Sequence, residues 1–79
     1  MRIFRGCEKD VNCIVLSTDD KYLFSGSDDT SIIQWQVCDG SILKKYEGHT
    51  NYICFLALSA NNNVLVSGSN DSLVLVWDV

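Results

Sequence analysis

The sequence predicts an all-β repeat protein, and three observations indicate this class. A unit of 42 residues occurs twice without insertion or deletion, so that the Ser-Gly-Ser of residues 25–27 returns at 67–69 and Trp35 returns as Trp77. Each unit divides into short apolar segments separated by Ser, Asp, Asn and Gly, the pattern of strands and turns. Several of these segments are apolar without interruption. A fixed period of this length indicates a repeat architecture.

The first two strands of each unit follow from short apolar runs. Val11–Leu16 and Ile53–Leu58 are apolar and partly β-branched, and turn-forming residues come directly after them. Residues 22–24 and 64–66 form the next run and lead into the Ser-Gly-Ser tripeptide. Neither run has a helical period of 3.6 residues, so we predict antiparallel strands.

The third and fourth strands follow a second turn. Asp-Asp at 28–29 and Asn-Asp at 70–71 supply short polar side chains that hydrogen-bond to their own backbone in turns. Residues 31–37 and 73–79 are then predicted to form the third strand of each unit. A fourth strand is predicted at Ile42–Tyr46, and residues 1–4 align with its end.

The uninterrupted apolar runs indicate what lies on either side of each sheet. Residues 14–16 and 73–77 do not alternate between apolar and polar, which implies that both faces of the sheet are covered. A β-propeller packs small antiparallel sheets face to face in this way. We therefore predict two four-stranded antiparallel propeller blades, an incomplete propeller unless the chain assembles or belongs to a longer one.

Both units resemble the WD repeat. The second copy has Gly-His at residues 48–49, Ser-Gly-Ser-Asn-Asp at 67–71 and Trp-Asp at 77–78. The first copy is degenerate, with Gly-Cys at 6–7 and Trp-Gln at 35–36. The resemblance covers essentially the whole chain and implies a fold of WD-type blades.

The resemblance also implies where each repeat begins and ends. Residues 1–42 would form a degenerate first repeat, which holds the end of strand d followed by strands a, b and c. Residues 43–79 would form a second repeat with strand d and then a, b and c. Two repeats fall short of the roughly four to eight blades that close a propeller.

The resemblance implies a structural role for four polar side chains of the second copy. His49, Ser67, Asp71 and Trp77 occupy the positions of the family's structural tetrad, in which a chain of hydrogen bonds holds the blade together. His, Ser and Asp are also the residue types of a nucleophilic triad. No Gly-x-Ser-x-Gly elbow is present to expose a nucleophile, so we expect no catalysis.

The matching positions of the first copy carry a weaker set. They are Cys7, Ser25, Asp29 and Trp35. Because a thiol is a weak hydrogen-bond donor and acceptor, we expect Asp29 to lack a strong partner. The first blade is then expected to be less rigid than the second.

Binding in this family is implied at the top face of the propeller, near the histidine and just before the turn aspartate. The corresponding residues, which we call the top face of this chain, are Asp10, Asn12, Asp28, Tyr52, Cys54 and Asn70. An exposed tyrosine suits a protein-binding hot spot, and the acidic residues suit a basic partner. The expected partners are therefore proteins.

Composition excludes several other functions. A net charge of −4 disfavours nucleic acid and anionic membranes as partners. The four cysteines lack the spacing of a zinc site, so we expect no metal and no cofactor. With no signal-peptide pattern and no membrane-length apolar run, we expect an intracellular protein, cytoplasmic or nuclear.

Two functions remain open from the sequence. The first is a non-catalytic WD-repeat scaffold for protein–protein interaction, formed by a two-repeat segment of a longer propeller. The alternative is a self-assembling two-blade protein whose copies close a homo-oligomeric ring. In the alternative, residues 2–4 of one copy would complete the sheet that ends with residues 73–79 of the next.

Overall fold

The computed structural model describes residues 10–79, which form two antiparallel β-sheets. Each sheet keeps its strands in chain order, and we call the sheets blade 1 and blade 2. Blade 1 contains β1 (Val11–Leu16), β2 (Tyr22–Ser27), β3 (Ile32–Gln36) and β4 (Ile42–Tyr46). Blade 2 contains β5 (Ile53–Leu58), β6 (Val64–Ser69) and β7 (Val74–Asp78).

The predicted all-β class and its blade architecture are confirmed. Blade 1 has four strands, and blade 2 has three among the described residues. The predicted strand end at residues 1–4 lies outside the described residues, as do Gly6 and Cys7. Within residues 10–79 no helix is long and apolar enough to cross a bilayer.

The turns of the two blades share the same backbone geometry. Left-handed φ angles occur at Asp20 (62°) and Asn62 (64°) after the first strand of each blade. They occur again at Thr30 (74°) and Ser72 (70°) after the second strand. Short polar side chains tolerate this region better than most residues, although the β-branched Thr30 adopts it at a cost. The 42-residue repeat is therefore preserved in the backbone as well as in the residue types.

Both blades also share an irregularity at the start of their first strand. The pairing of β1 with β2 shifts between Val11 and Cys13, and that of β5 with β6 shifts between Ile53 and Phe55. Such a bulge bends the strand and redirects its side chains. As a result, Ile53 contacts blade 1 whereas Phe55 lies over Gly68. Phe55 therefore lies outside the core, and 45% of its side chain is exposed.

The hydrophobic core lies between the two blades. Its fully or almost fully buried members are Phe24, Ile32 and Tyr46 of blade 1 and Ile53 and Leu65 of blade 2. Further side chains of both blades pack against this cluster, namely Cys13, Val15, Tyr22, Leu56, Leu58 and Trp77. The core is thus an interface between two sheets. The apolar runs at 14–16 and 73–77 predicted cover on both faces of each sheet, but Ile14, Val74 and Val76 are more than 60% exposed within this chain.

Polar contacts join the edges of the same interface. The Thr18 amide donates to Asn62 Oδ1 at 3.0 Å, and Asn62 Nδ2 donates to Thr18 Oγ1 at 2.9 Å. At the other end of β1, Asn12 Nδ2 donates to the carbonyl oxygen of Ile53 at 3.1 Å. These bonds fix the register of one blade on the other.

Candidate functional site

Four side chains of blade 2 form a continuous chain of hydrogen bonds. Trp77 Nε1 donates to Ser67 Oγ at 2.8 Å, and Ser67 Oγ lies 2.7 Å from His49 Nε2. On the other side of the ring, His49 Nδ1 lies 3.0 Å from Asp71 Oδ2. Gly48 leaves room for the indole, because a Cβ there would lie 2.8 Å from Trp77 Cη2. The structure therefore brings together all four residues of the expected tetrad.

The protonation of this chain follows from its end groups. Burial alone would raise the pKa of Asp71, but hydrogen bonds from the amides of Thr50 and Leu73 and from His49 lower it below 3.8. Asp71 is therefore a carboxylate, which can only accept, so His49 carries a proton on Nδ1. In the neutral ring Nε2 then accepts from the Ser67 hydroxyl, whose oxygen accepts from Trp77. Each buried polar side-chain atom of these four residues has a hydrogen-bond partner.

The same geometry resembles a Ser-His-Asp triad, but the nucleophile is inaccessible. Ser67 is fully buried, and its Oγ is already bound by both His49 and Trp77. A nucleophile must reach the substrate carbonyl at close range. The arrangement can therefore order a blade but offers no route for attack on a substrate.

The equivalent positions of blade 1 make a different set of contacts. Trp35 Nε1 donates to Ser25 Oγ at 2.8 Å, as Trp77 does to Ser67. Asp29, however, accepts from the hydroxyl of Ser27 and from both the amide and the hydroxyl of Ser31, the last two at 3.0 and 2.6 Å.

The expectation that Asp29 lacks a strong partner is therefore wrong. Neighbouring serines take the place that His49 has beside Asp71. Burial would raise the pKa of Asp29, and these hydrogen bonds lower it below its ordinary value. The sequence did contain a signal for these contacts, because serines stand two residues before and two residues after Asp29. Serine and aspartate side chains at such spacing hydrogen-bond to one another within turns.

The top-face residues of blade 1 are connected to one another. Asn12 Nδ2 donates to Asp28 Oδ1 at 2.7 Å, and the Asp28 amide donates to the Asp10 carbonyl oxygen at 3.0 Å. All three residues are exposed. Among residues 10–79 the ion pair between charged side chains is Lys45–Glu47, so no described cation is paired with Asp10 or Asp28.

The top-face residues of blade 2 lie beside this set. Tyr52 is 40% exposed, and its carbonyl oxygen accepts from the Asn70 amide at 3.2 Å and from Ser69 Oγ at 2.8 Å. Asn70 and Cys54 are also exposed. Since Asn12 bonds both to Asp28 and to the backbone of Ile53, the two sets form one surface across the blades.

Comparison with known proteins supports the propeller assignment. The family model described as WD domain, G-beta repeat matches residues 1–36 and 40–78. U3 small nucleolar RNA-interacting protein 2 of Homo sapiens is 32% identical over 69 residues, which cover 73% of this chain and 14% of that protein. The chain therefore spans about one-seventh of the length of this curated relative.

Solved structures show the same fold. A structure of U3-55K superposes with a TM-score of 0.94 and 32% identity, and the match covers 98% of this chain and 25% of that chain. A crystal structure of RRP9 WD40 repeats gives a TM-score of 0.93 and 33% identity, with the same coverage of 98% and 25%. Each solved chain is thus much longer than the two blades described above.

Proposed function

Because this chain belongs to the WD-repeat family, we propose that it is a non-catalytic scaffold that binds a protein partner through its top face. The observation that carries the proposal is the bridge made by Asn12. Its side chain contacts Asp28 within blade 1 and the backbone of Ile53 in blade 2. This bridge holds the acidic residues and the exposed Tyr52 on one fixed surface.

The chemistry of this surface favours a basic protein segment that also offers an apolar contact. Asp10 and Asp28 supply negative charge without a described cation nearby. Tyr52 supplies an aromatic ring. Hydrogen bonds from Asn70 and Ser69 fix its backbone, so little conformational freedom is lost on binding. Cys54 and Asn70 complete the surface with smaller side chains.

Nucleic acid is not the partner that we propose. One relative is named for its interaction with a small nucleolar RNA. In this chain the net charge of −4 and the carboxylates of Asp10 and Asp28 would repel phosphate. The nucleolar RNA in the name of that relative supports an intracellular location, cytoplasmic or nuclear, for this chain.

Catalysis is not part of the proposal. Ser67, the residue placed like a nucleophile, is buried within its hydrogen-bond chain. We assign His49, Ser67, Asp71 and Trp77 to blade stability. The repeats that we assign to residues 1–42 and 43–79 serve as a rigid support for the top face, in this chain or within a longer propeller.

Affinity capture from cell extract with matched variants tests the proposal. Tyr52→Ala should weaken partner binding by about 1 kcal/mol or more, the cost expected for truncating an aromatic anchor. Asp28→Lys should slow association and change its salt dependence. Asp20→Lys is the charge-matched control. It makes the same change in charge, and Asp20 follows the end of β1 that lies away from Asp10 and the top face.

The result supports the proposal if a protein is lost with both top-face variants and kept by Asp20→Lys. Thermal melts of each variant must remain close to that of the parent chain. The proposal fails if every partner survives Tyr52→Ala and Asp28→Lys while their melting temperatures fall. Retention of RNA in place of protein would also contradict it.

A further inference from the structure

The face of blade 2 that points away from blade 1 is apolar and uncovered. Val74 and Val76 on β7 are 63% and 69% exposed, and Phe55 on β5 lies on the same face. In blade 1 the equivalent positions are Ile32 and Gln34, and both are buried. An exposed apolar group of this kind on a soluble protein marks an interaction surface.

A second uncovered apolar group lies along β1, at the edge of the face of blade 1 that points away from blade 2. Ile33 and Trp35 lie on the same face in β3 and are buried. The members of the uncovered group, Val11, Ile14 and Leu16 on β1, are each about half exposed or more. The equivalent residues of β5 are Ile53, Leu56 and Leu58, and all three contact the core between the blades. The bare residues of β1 are thus the equivalents of the β5 residues that dock blade 2 onto blade 1.

We propose that the bare face of blade 2 docks onto the bare face of blade 1 in a second copy of this chain. The two faces are the two halves of an interface that already exists once within the chain. Repetition of that interface between copies joins them head to tail. This contact is heterologous, because one copy contributes β5 to β7 and the other contributes β1.

The paired glycines show what this contact requires. Within the chain, Ile53 lies over Gly26, where a Cβ would be 2.5 Å from Ile53 Cγ2 and 3.0 Å from Cys13 Sγ. In blade 2 the ring of Phe55, which replaces the small Cys13, fills the space over Gly68 and must turn aside for a second copy to dock.

Val11 is the residue that a second copy would bring to this space. Valine is one methylene smaller than the isoleucine it replaces, so it needs less room once the Phe55 ring has turned aside. The Phe55 ring is at the end of a half-exposed side chain, so it can turn to cover the incoming residue. Docking of the second copy would cover Phe55, which is 45% exposed within one copy.

Fewer polar contacts support the junction between copies than support the one within the chain. Cys54 stands at the position of Asn12, whose amide bonds to the backbone of Ile53. Ala60 stands at the position of Thr18, whose hydroxyl bonds to Asn62. The junction between copies therefore relies on apolar contact, and we expect it to dissociate on dilution while the blades stay paired.

Light scattering and dilution of the 79-residue chain test the docking directly. We expect a discrete assembly of about three or four copies, whose six or eight blades lie within the roughly four to eight that close a propeller. The melting temperature should rise with protein concentration over a hundredfold range, since the folded copies stabilise one another by mass action. A cooperative monomer with a concentration-independent melting temperature would overturn the proposal without any substitution.

Two variants then test the head-to-tail direction. Ile14→Glu alters only the bare face of blade 1, and Val76→Glu alters only the bare face of blade 2. Both side chains are more than 60% exposed within one copy, so neither change should unfold it. Each variant alone should be a monomer. An equimolar mixture should give a one-to-one dimer, because each variant keeps the face that the other has lost.

Asn63→Glu is the control, since it adds the same charge at an exposed position of the turn between β5 and β6 and should leave the assembly at its full mass. The proposal is wrong if either face variant assembles on its own as the parent does, because like faces would then pair. It is also wrong if the mixture of the two variants stays monomeric, which would indicate a different occupant such as a further blade of another chain.

Discussion

Blade 1 and blade 2 are built from the same 42-residue unit, yet side chains at equivalent positions differ widely in burial. Ile32 in β3 is completely buried, whereas Val74 in β7 is 63% exposed. In β1, Val11 is 50% exposed, whereas its equivalent Ile53 in β5 is completely buried. Both pairs keep a β-branched apolar residue. The difference shows that the adjacent sheet, more than the residue type, decides which side chains belong to the core.

The polar positions show the reverse behaviour. Here the residue types differ between the blades, and each blade still satisfies its turn aspartate. Asp71 uses His49 and two backbone amides, whereas Asp29 uses Ser27 and Ser31. The burial of apolar side chains in this chain is therefore set by the neighbouring sheet. The hydrogen bonds of the turn aspartates are made within each 42-residue unit.

The largest expected effect separates the two equivalent positions of the first strands. Ile53→Ala should destabilise the chain by about 2–5 kcal/mol, because it opens a cavity in a fully buried site between the blades. In dilute protein, Val11→Ala should cost less than about 1 kcal/mol, because half of the side chain is already in water. Urea unfolding of both variants measures the difference, and equal costs would contradict the comparison.

A smaller effect is expected at the paired glycines. Gly26→Ala should destabilise by about 1–3 kcal/mol, because its Cβ would meet the buried Cβ and Cγ2 of Ile53, which cannot move away. Gly68→Ala should cost less, since the obstructing group is the outer part of the half-exposed Phe55 ring. Thermal melts compare the pair, and a larger loss for Gly68→Ala would show that Phe55 is held rigidly.

The hydrogen-bond chain of blade 2 is expected to contribute a similar or slightly smaller amount. His49→Ala leaves the buried Ser67 hydroxyl without its acceptor and removes one of the donors to Asp71, so it should destabilise by about 1–3 kcal/mol. Adding Ser67→Ala to this variant should cost less than Ser67→Ala alone in the parent, because the two residues act in one network.

Thr50→Ala is the matched control for the histidine, since Thr50 is its exposed neighbour and contributes only its amide to the chain. We expect a change within about 0.5 kcal/mol. If His49→Ala and Thr50→Ala unfold at the same urea concentration, the network does not stabilise the blade.

Low pH should destabilise the chain through both turn aspartates, and by less than the substitutions above. The pKa values of Asp71 and Asp29 lie below the ordinary 3.8 in the folded chain. Their contribution to stability is therefore complete above about pH 4 and is lost as the pH falls through the folded-state pKa. Unfolding measured between pH 5 and pH 2 should show this loss, and Asp71→Asn and Asp29→Asn should each reduce the slope. An unchanged slope in both variants would exclude these carboxylates as its source.

Strands and turns could be predicted closely from the sequence. The bounds Val11–Leu16, Ile42–Tyr46 and Ile53–Leu58 in the structure are those expected, because β-branched runs and flanking turn residues are local signals. The tetrad residues were predicted from the family resemblance, and the structure places them within hydrogen-bond distance. Their contribution to stability stays a prediction.

Side-chain direction could not be predicted as well. The bulge at Cys54 places Phe55 on the face opposite to Ile53, whereas regular alternation along β5 would place both on one face. Asp29 was expected to lack a strong partner, because Cys7 stands where the family has a histidine. The two serines that bond to it lie beside it in the turn. A bulge and a turn hydrogen bond both depend on local backbone geometry, which residue type alone does not determine.

Hydrogen exchange of the amides of β3 and β7 at two protein concentrations tests the central claim most directly. These strands are equivalent by sequence, and only β3 lies between two strands among the described residues. We predict that β3 is protected at both concentrations, whereas β7 exchanges rapidly in dilute protein and gains protection as copies associate. Protection of β7 equal to that of β3 in dilute protein would contradict the claim that the neighbouring sheet supplies the burial.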